Sequence, residues 1–256
     1  MKAKTLGFIA LSIAGAAIFV RLGVWQVSRL HEKQRINAEM SARLAAPPVS
    51  IDSLSGPADS LRYRRARVSG VPDYAHETML VQRTHEGSPG VFLVTPVTTR
   101  GSDSATIVVR GWIYAPDGVR ADRTRWHEGD SLTVDGYLDE LPAASSPDSI
   151  PGQPAAVRHL QRGDLAHRAG RPVRTMYLWA VADSSAPSAR AAAGGAAARQ
   201  VPARFTLPVL DEGPHRSYAI QWFAFAAIAL GGAVIVVRNE RRAGDTPALR
   251  PIDRNS

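Results

Sequence analysis

The chain has 256 residues, carries 31 lysines and arginines against 23 carboxylates, and contains no cysteine. The length fits one or two domains, and the missing thiols exclude disulfides, a redox CxxC pair, a cysteine nucleophile and a thiolate copper site. A net charge of +8 would suit a nucleic-acid binder. However, the arginines are scattered apart from Arg62, Arg64, Arg65 and Arg67, and the chain lacks the aromatic-basic interleaving of a nucleic-acid surface, so anionic headgroups or an acidic ligand match better.

A mean hydropathy of -0.13 hides strong segregation. Residues 1–4 form a short basic tail with Lys2 and Lys4, followed by an apolar run from Thr5 through Val20 that continues past Arg21 to Trp25. About 20 helical residues cross the hydrocarbon core of a bilayer, so 5–25 is expected to be a first transmembrane helix. Arg21 would then snorkel to the headgroups, with Trp25 as an interfacial anchor. The other reading of this segment is a cleaved secretory signal. Against it, Arg21-Leu22-Gly23-Val24-Trp25-Gln26 puts bulky and charged groups where a peptidase needs small ones.

Residues 26–44 are polar and rich in good helix formers, predicting a juxtamembrane extension that Ala45-Ala46-Pro47-Pro48 stops. From 45 to 217 the pattern changes to β-branched runs broken by Gly and Pro. Strands are expected at Arg65–Val71, Thr78–Arg83, Val91–Thr99, Ala105–Tyr114, Ser131–Leu138 and Thr175–Val181. Arg162–Gly170 reads as a short helix with Asp164 as N-cap and Gly170 as its stop. The run 184–199 is low in complexity and reads as a flexible Ala-rich insertion. The expectation is one β-rich domain, a small barrel or sandwich of α+β type.

Tyr218–Val237 is apolar and free of charge, predicting a second transmembrane helix, and 238–256 is a basic tail with Arg238, Arg241 and Arg242. The positive-inside rule then places both termini in the cytoplasm and the central domain outside. Arg21, Arg29, Lys33 and Arg35 run against that rule at the first helix, so the second helix decides the orientation.

The chain holds seven histidines, four of them followed by glutamate: His31, His76, His85 and His127. None continues as HExxH, and there is no GxSxG, Walker A or GxGxxG motif, so no catalytic residue is assigned and no enzyme is expected. His215 differs by position. It stands at the start of the second apolar run, on a helical face with Tyr218, Ala219 and Trp222. One reading is a haem-iron ligand at the membrane boundary, with Arg216 pairing a propionate. The other is an ordinary interfacial histidine in an aromatic belt. Gln221, a polar amide one turn into the run, is expected to bond the first helix.

Several blocks together resemble the Surfeit locus protein 1 family. Leu22–Leu30 looks like its LGxWQxxRL signature, and Tyr63–Gly70 is similar to its first strand. Gly87–Pro96 matches GxPGxxxxTP, Val109–Ile113 matches the RGW strand, and His215–Phe223 resembles HxxYAxQWF. The blocks stand in family order and reach both ends of the chain. Between the RGW strand and Leu210 little is familiar beyond Leu132–Tyr137 and the Asp164 helix.

The resemblance implies an assembly factor for haem-copper terminal oxidases of the cytochrome c oxidase type. Such a factor would deliver or retain haem a while the catalytic subunit matures. It would have that subunit and the haem a synthesis machinery as partners, and it would sit in a bacterial inner membrane. The resemblance also implies that His215 is the haem ligand, with Tyr218 and Trp222 beside it. A membrane-tethered ecto-enzyme or a ligand-sensing module is the alternative. The glycines and tryptophan of these blocks read as structural: Pro89-Gly90 for a tight turn, Gly111 for a bulge or close backbone approach, and Trp112 for the core.

Overall fold

Two long helices bracket a β-rich unit in the computed structural model, which describes residues 3–144, 148–182 and 201–244. The Ala-rich insertion expected at 184–199 and residues 245–256 of the expected tail lie outside the described residues. The chain falls into two compact units, Met1–Ala38 with Leu210–Ser256, and Glu39–Val209.

In the first unit, helix α1 runs unbroken from Ala3 to Ala45. The apolar run and the polar extension are thus one helix, which Pro47 and Pro48 terminate by lacking the N–H that the next turn would need. The last helix, numbered α4 in chain order, spans His215–Gly244 and so starts three residues earlier than the apolar run suggested. Gly213, at φ +72°, turns the chain, and the Pro214 carbonyl accepts from Tyr218 N–H at 3.1 Å to close the first turn. Both helices are long and apolar enough to cross a membrane.

The two helices run antiparallel, because contacts from Phe19 through Gln26 to Asn37 on α1 meet Trp222, His215 and Asp211 in descending order. The covered positions include Ser12, Ala16, Phe19, Gly23, Gln26 and Leu30 on α1 and His215, Ala219, Trp222, Ala226, Ala229 and Ala233 on α4. Spacings that alternate between four and three residues are the seam of a left-handed helix pair. Small residues dominate this seam, which lets the backbones come close without a bulky core. At Gly23 an added Cβ would lie 2.7 Å from the Phe223 ring.

In the second unit, a short strand β1 (Val49–Ser50) and a one-turn helix α2 (Ala58–Leu61) precede the main sheet. The strands are β2 (Arg65–Pro72), β3 (Thr78–His85), β4 (Ser88–Thr99), β5 (Ala105–Tyr114), β6 (Leu132–Glu140), β7 (Ala156–Val157) and β8 (Met176–Ala180). Each of the six expected strands is present, with ends moved by three residues or fewer. β2 pairs antiparallel with β6 along most of its length and, at Gly70–Pro72, with β4. With the β6–β8, β8–β5 and β5–β4 ladders, the pairings therefore run in a ring. Val68, Val97, Val108, Val134, Leu138 and Leu178 form one buried cluster. Ile107, Val109, Tyr177 and the helix residues Leu165 and Ala169 form a second.

The short helix α3 spans Arg162–Ala169, and Gly170 ends it in the left-handed conformation at φ 63°. Its N-cap corrects the sequence reading: Gln161 occupies that position, and Asp164 lies inside the first turn. There its carboxylate faces the helix's positive end and accepts from Arg168 Nε at 2.7 Å, a pairing that four-residue helical spacing permits and a cap position would not.

Gly90 has no room for a side chain, because a Cβ there would overlap the Trp112 indole nitrogen and the Ile113 carbonyl. Gly90→Ala should therefore destabilise the β-rich unit by roughly 1–3 kcal/mol, the usual cost of overpacking. A thermal melt of the purified protein followed by near-ultraviolet circular dichroism checks this, and an unchanged midpoint would show that the ladder yields without cost.

Candidate functional site

Within the helix pair, the two residues that carry polar chemistry at the seam meet directly. His215 Nδ1 lies 2.9 Å from Gln26 Oε1. Gln26 is 8% exposed, and a buried amide without a partner would cost free energy, so its bond to the imidazole is part of what lets the seam close. The other edge of the imidazole faces Gly213, where an added Cβ would stand 3.7 Å from Nε2. The glycine supplies the positive φ that the turn needs and keeps side-chain atoms from that edge.

About two helical turns beyond, Trp222 stacks on Phe19 with centroids 5.8 Å apart, and Phe225 meets both rings edge-on or tilted. His215 and Trp222 share the seam, two turns apart, which is roughly 10 Å along the axis. Tyr218 is not on that line: it is 46% exposed on the flank of α4. Arg216 is also exposed, about 100° round the helix from His215. The sequence reading of Gln221 is corrected. That residue is on the exposed side, and the amide that bonds across the helices is Gln26. Two further bonds extend the polar end of the pair, Gln34 Nε2 to Glu212 Oε1 at 3.1 Å and Asn37 Nδ2 to the Asp211 carbonyl at 3.0 Å.

The β-rich unit contains a second concentration of polar groups, which the sequence did not reveal. Arg110 is fully buried and stands at a bulge: Leu93 pairs with Gly111 and Val94 with Val109, leaving Arg110 as the extra residue of β5. Its guanidinium pairs with Glu77 and, at 2.7 Å each, with Glu128 Oε1 and the Trp126 carbonyl. Arg110 Nε donates to Thr95 Oγ1 at 2.8 Å, and the Thr95 hydroxyl donates to Glu77 Oε2 at 2.5 Å. Arg204 donates to Glu128 and to the Arg110 carbonyl. The Tyr74 ring lies under Arg110 and stacks on His127 with centroids 4.0 Å apart.

Two arginines and two carboxylates thus compensate one another. Burial opposes the Arg110 charge, but Glu77 and Glu128 more than offset it and hold its pKa above the ordinary arginine value. At Arg204 burial wins, and Glu128 only partly restores the charge. Gly111, at φ +153°, lets the backbone approach Ala203, whose carbonyl a Cβ would meet at 2.5 Å. The bulge and the close approach both occur at this glycine.

The remaining histidines are dispersed. His76 pairs with Asp73 at 2.7 Å, His159 with Asp148 at 3.4 Å, and the His85 ring rests against Trp112. Among the described residues, no three histidines or carboxylates converge to hold a metal ion.

The profile of the SURF1 family, the Surfeit locus protein 1 family, matches residues 13–227. The chain belongs to the SURF1 family. It is 32% identical to a SURF1-like protein of Rickettsia felis over 46% of its own length. The match spans about half, 52%, of that relative. An uncharacterized SURF1-like protein of Mycobacterium bovis is 25% identical over 96% of this chain and 91% of its own. A yeast relative, Cytochrome oxidase assembly protein SHY1, is 29% identical over 43% of this chain and 30% of its own. The matched region of this SURF1 chain includes Gln26, His215 and the Arg110 network.

Removing one partner from a buried ion pair leaves an uncompensated charge. Arg110→Met should therefore destabilise the β-rich unit by about 3–5 kcal/mol, whereas Arg204→Met, which leaves Glu128 paired with Arg110, should cost clearly less. Chemical denaturation of the two variants side by side checks the order. Equal costs would contradict Arg110 as the centre of the network.

Proposed function

We propose that this SURF1-family chain is an assembly factor for a haem-copper terminal oxidase of the cytochrome c oxidase type. In this reading it holds haem a for the catalytic subunit as that subunit matures, and it does so without catalytic turnover. Family membership and the yeast relative named as an oxidase assembly protein support the assembly role. The observation that carries the haem part is His215, bonded through Nδ1 to Gln26 and with Gly213 near its Nε2 edge. An imidazole held through one nitrogen would leave the other to bind haem iron.

The donor set fits the cargo. His215 would bind the iron, Arg216 would offer a guanidinium to a propionate, and the exposed Tyr218 and the Trp222 aromatic group would supply apolar surface. Haem iron brings a Lewis-acidic centre that prefers a neutral imidazole. The chain's own part would be to orient that imidazole through the Gln26 bond. The partners in this reading are the oxidase catalytic subunit and the haem a synthesis machinery.

The setting is a two-pass protein of a bacterial inner membrane. Only 11% of the most apolar window of each long helix is buried, which suits lipid-facing helices better than core helices. The β-rich unit, its strand ring read as a small barrel, would lie outside the cytoplasm with both termini inside. A reporter active only outside the cytoplasm should work when fused after Ala143 and fail when fused after Ser256. The reverse pattern would overturn this topology.

In cells lacking the chain, the oxidase catalytic subunit should still insert but carry several-fold less haem a. The wild-type gene should restore haem content and the His215→Ala gene should not. Full haem a content in the oxidase of the deletion strain would sink the assembly reading. Full restoration by His215→Ala would remove the ligand role alone.

A further inference from the structure

Gln26 is the neighbour that determines what His215 can do. A neutral imidazole carries one N–H, on Nδ1 or on Nε2, and only the nitrogen without it can bind a metal. Free histidine side chains favour the proton on Nε2, the form that could not offer that nitrogen. In the helix pair, Gln26 presents its carbonyl oxygen to Nδ1 at 2.9 Å. A carbonyl only accepts, so Nδ1 must donate, and the lone pair then lies on Nε2, toward Gly213. With the opposite amide orientation the NH2 group would donate to Nδ1 and force the proton onto Nε2, closing the imidazole to metal.

The position of the amide also needs explaining. Gln26 sits at a covered seam position between Gly23 and Leu30, where an aliphatic side chain would pack without a desolvation cost. A buried amide there is retained for what it bonds, and the residue it bonds is His215. The same bond fixes the register of the two helices, as single polar groups do in helix seams. No carboxylate or second amide is bonded to the His215 ring among the described residues, so the selection of its protonation site falls to Gln26.

We propose that Gln26 is a positioning residue that selects the Nδ1–H tautomer of His215 and so would leave Nε2 for binding haem iron, an inference that rests on the haem reading above. Glutamate at 26 would keep and strengthen the acceptor. Leucine at 26 would keep the shape and remove it.

The test uses the full chain in detergent, with histidine labelled by ¹⁵N, as wild type, Gln26→Leu, Gln26→Glu and His215→Ala. The last variant identifies the His215 signals by their loss. In haem-free protein, the wild type and Gln26→Glu should show the Nδ1–H form and Gln26→Leu a shift toward Nε2–H. On titration with haem a, Gln26→Leu should bind about 10- to 100-fold more weakly, the usual effect of losing the group that orients a metal-binding histidine. Gln26→Glu should bind within a few-fold of wild type, with a raised iron–histidine stretching frequency in resonance Raman spectra.

An Nδ1–H signal and wild-type affinity in folded Gln26→Leu would overturn the proposal and leave the haem reading standing. Failure of every form, wild type included, to take up haem a would overturn the haem reading and the ligand-positioning role with it. If Gln26→Leu does not fold, Gln26→Glu decides: an iron–histidine stretching frequency unmoved from wild type, or an Nε2–H signal, would contradict control of His215 by residue 26.

Discussion

The bond between Gln26 and His215 depends on how closely two antiparallel helices can approach. The approach is set by absent side chains: Gly23 against the Phe223 ring, and Ala16, Ala219, Ala226 and Ala233 along the same seam. A larger residue at any of these points would push the backbones apart. A polar contact of 2.9 Å between side chains does not survive even an ångström of separation. The aromatic group of Phe19, Trp222 and Phe225 fills the space on one side of the bond. Gln34 and Asn37 bond the chain just before α4 on the other. The imidazole is therefore held between a packed apolar segment and a polar one, in a position that its own helix alone could not specify.

The β-rich unit solves a different problem. Its strand pairings run in a ring through β2, which leaves few free edges, but the unit includes a fully buried arginine. A bulge in β5 places that residue outside the regular alternation, and Glu77 and Glu128 neutralise it, with Thr95 and Arg204 bonded into the same network from two further stretches of chain. Such a network adds little net stability compared with an apolar core of the same volume. The bonds of Arg204 to Glu128 and to the Arg110 carbonyl tie this stretch of chain to β5 before the last helix begins.

The strands were legible in the sequence because each is a β-branched run bounded by Gly, Pro or Asp turns, and a period of two is a local property. The helices were legible for the same reason, their apolar runs being longer than any buried strand. The Arg110 network was not, since its pairings join residues up to 94 positions apart and no local spacing encodes them. A trace existed in the lone arginine of the apolar run from Ile107 to Ile113, which needs a buried counter-charge. Asp164 misled because a carboxylate early in a helix looks alike at the cap and one turn in. His215 was legible from its place at the edge of an apolar run, but its partner was not. Gln221 and Gln26 are both amides within apolar segments, and only the seam phase, read against the opposite helix, separates the one that faces inward from the one that faces out.

The central claim is that the helix pair binds haem a through one imidazole. The most direct measurement is the absorption spectrum of the full chain purified in detergent from cells that synthesise haem a. The account predicts a Soret band shifted from that of haem a in detergent alone, at a fixed haem-to-protein ratio that does not rise when more haem a is added. Purified protein without haem, or with haem in proportion to whatever is supplied and the spectrum of the free pigment, would contradict it.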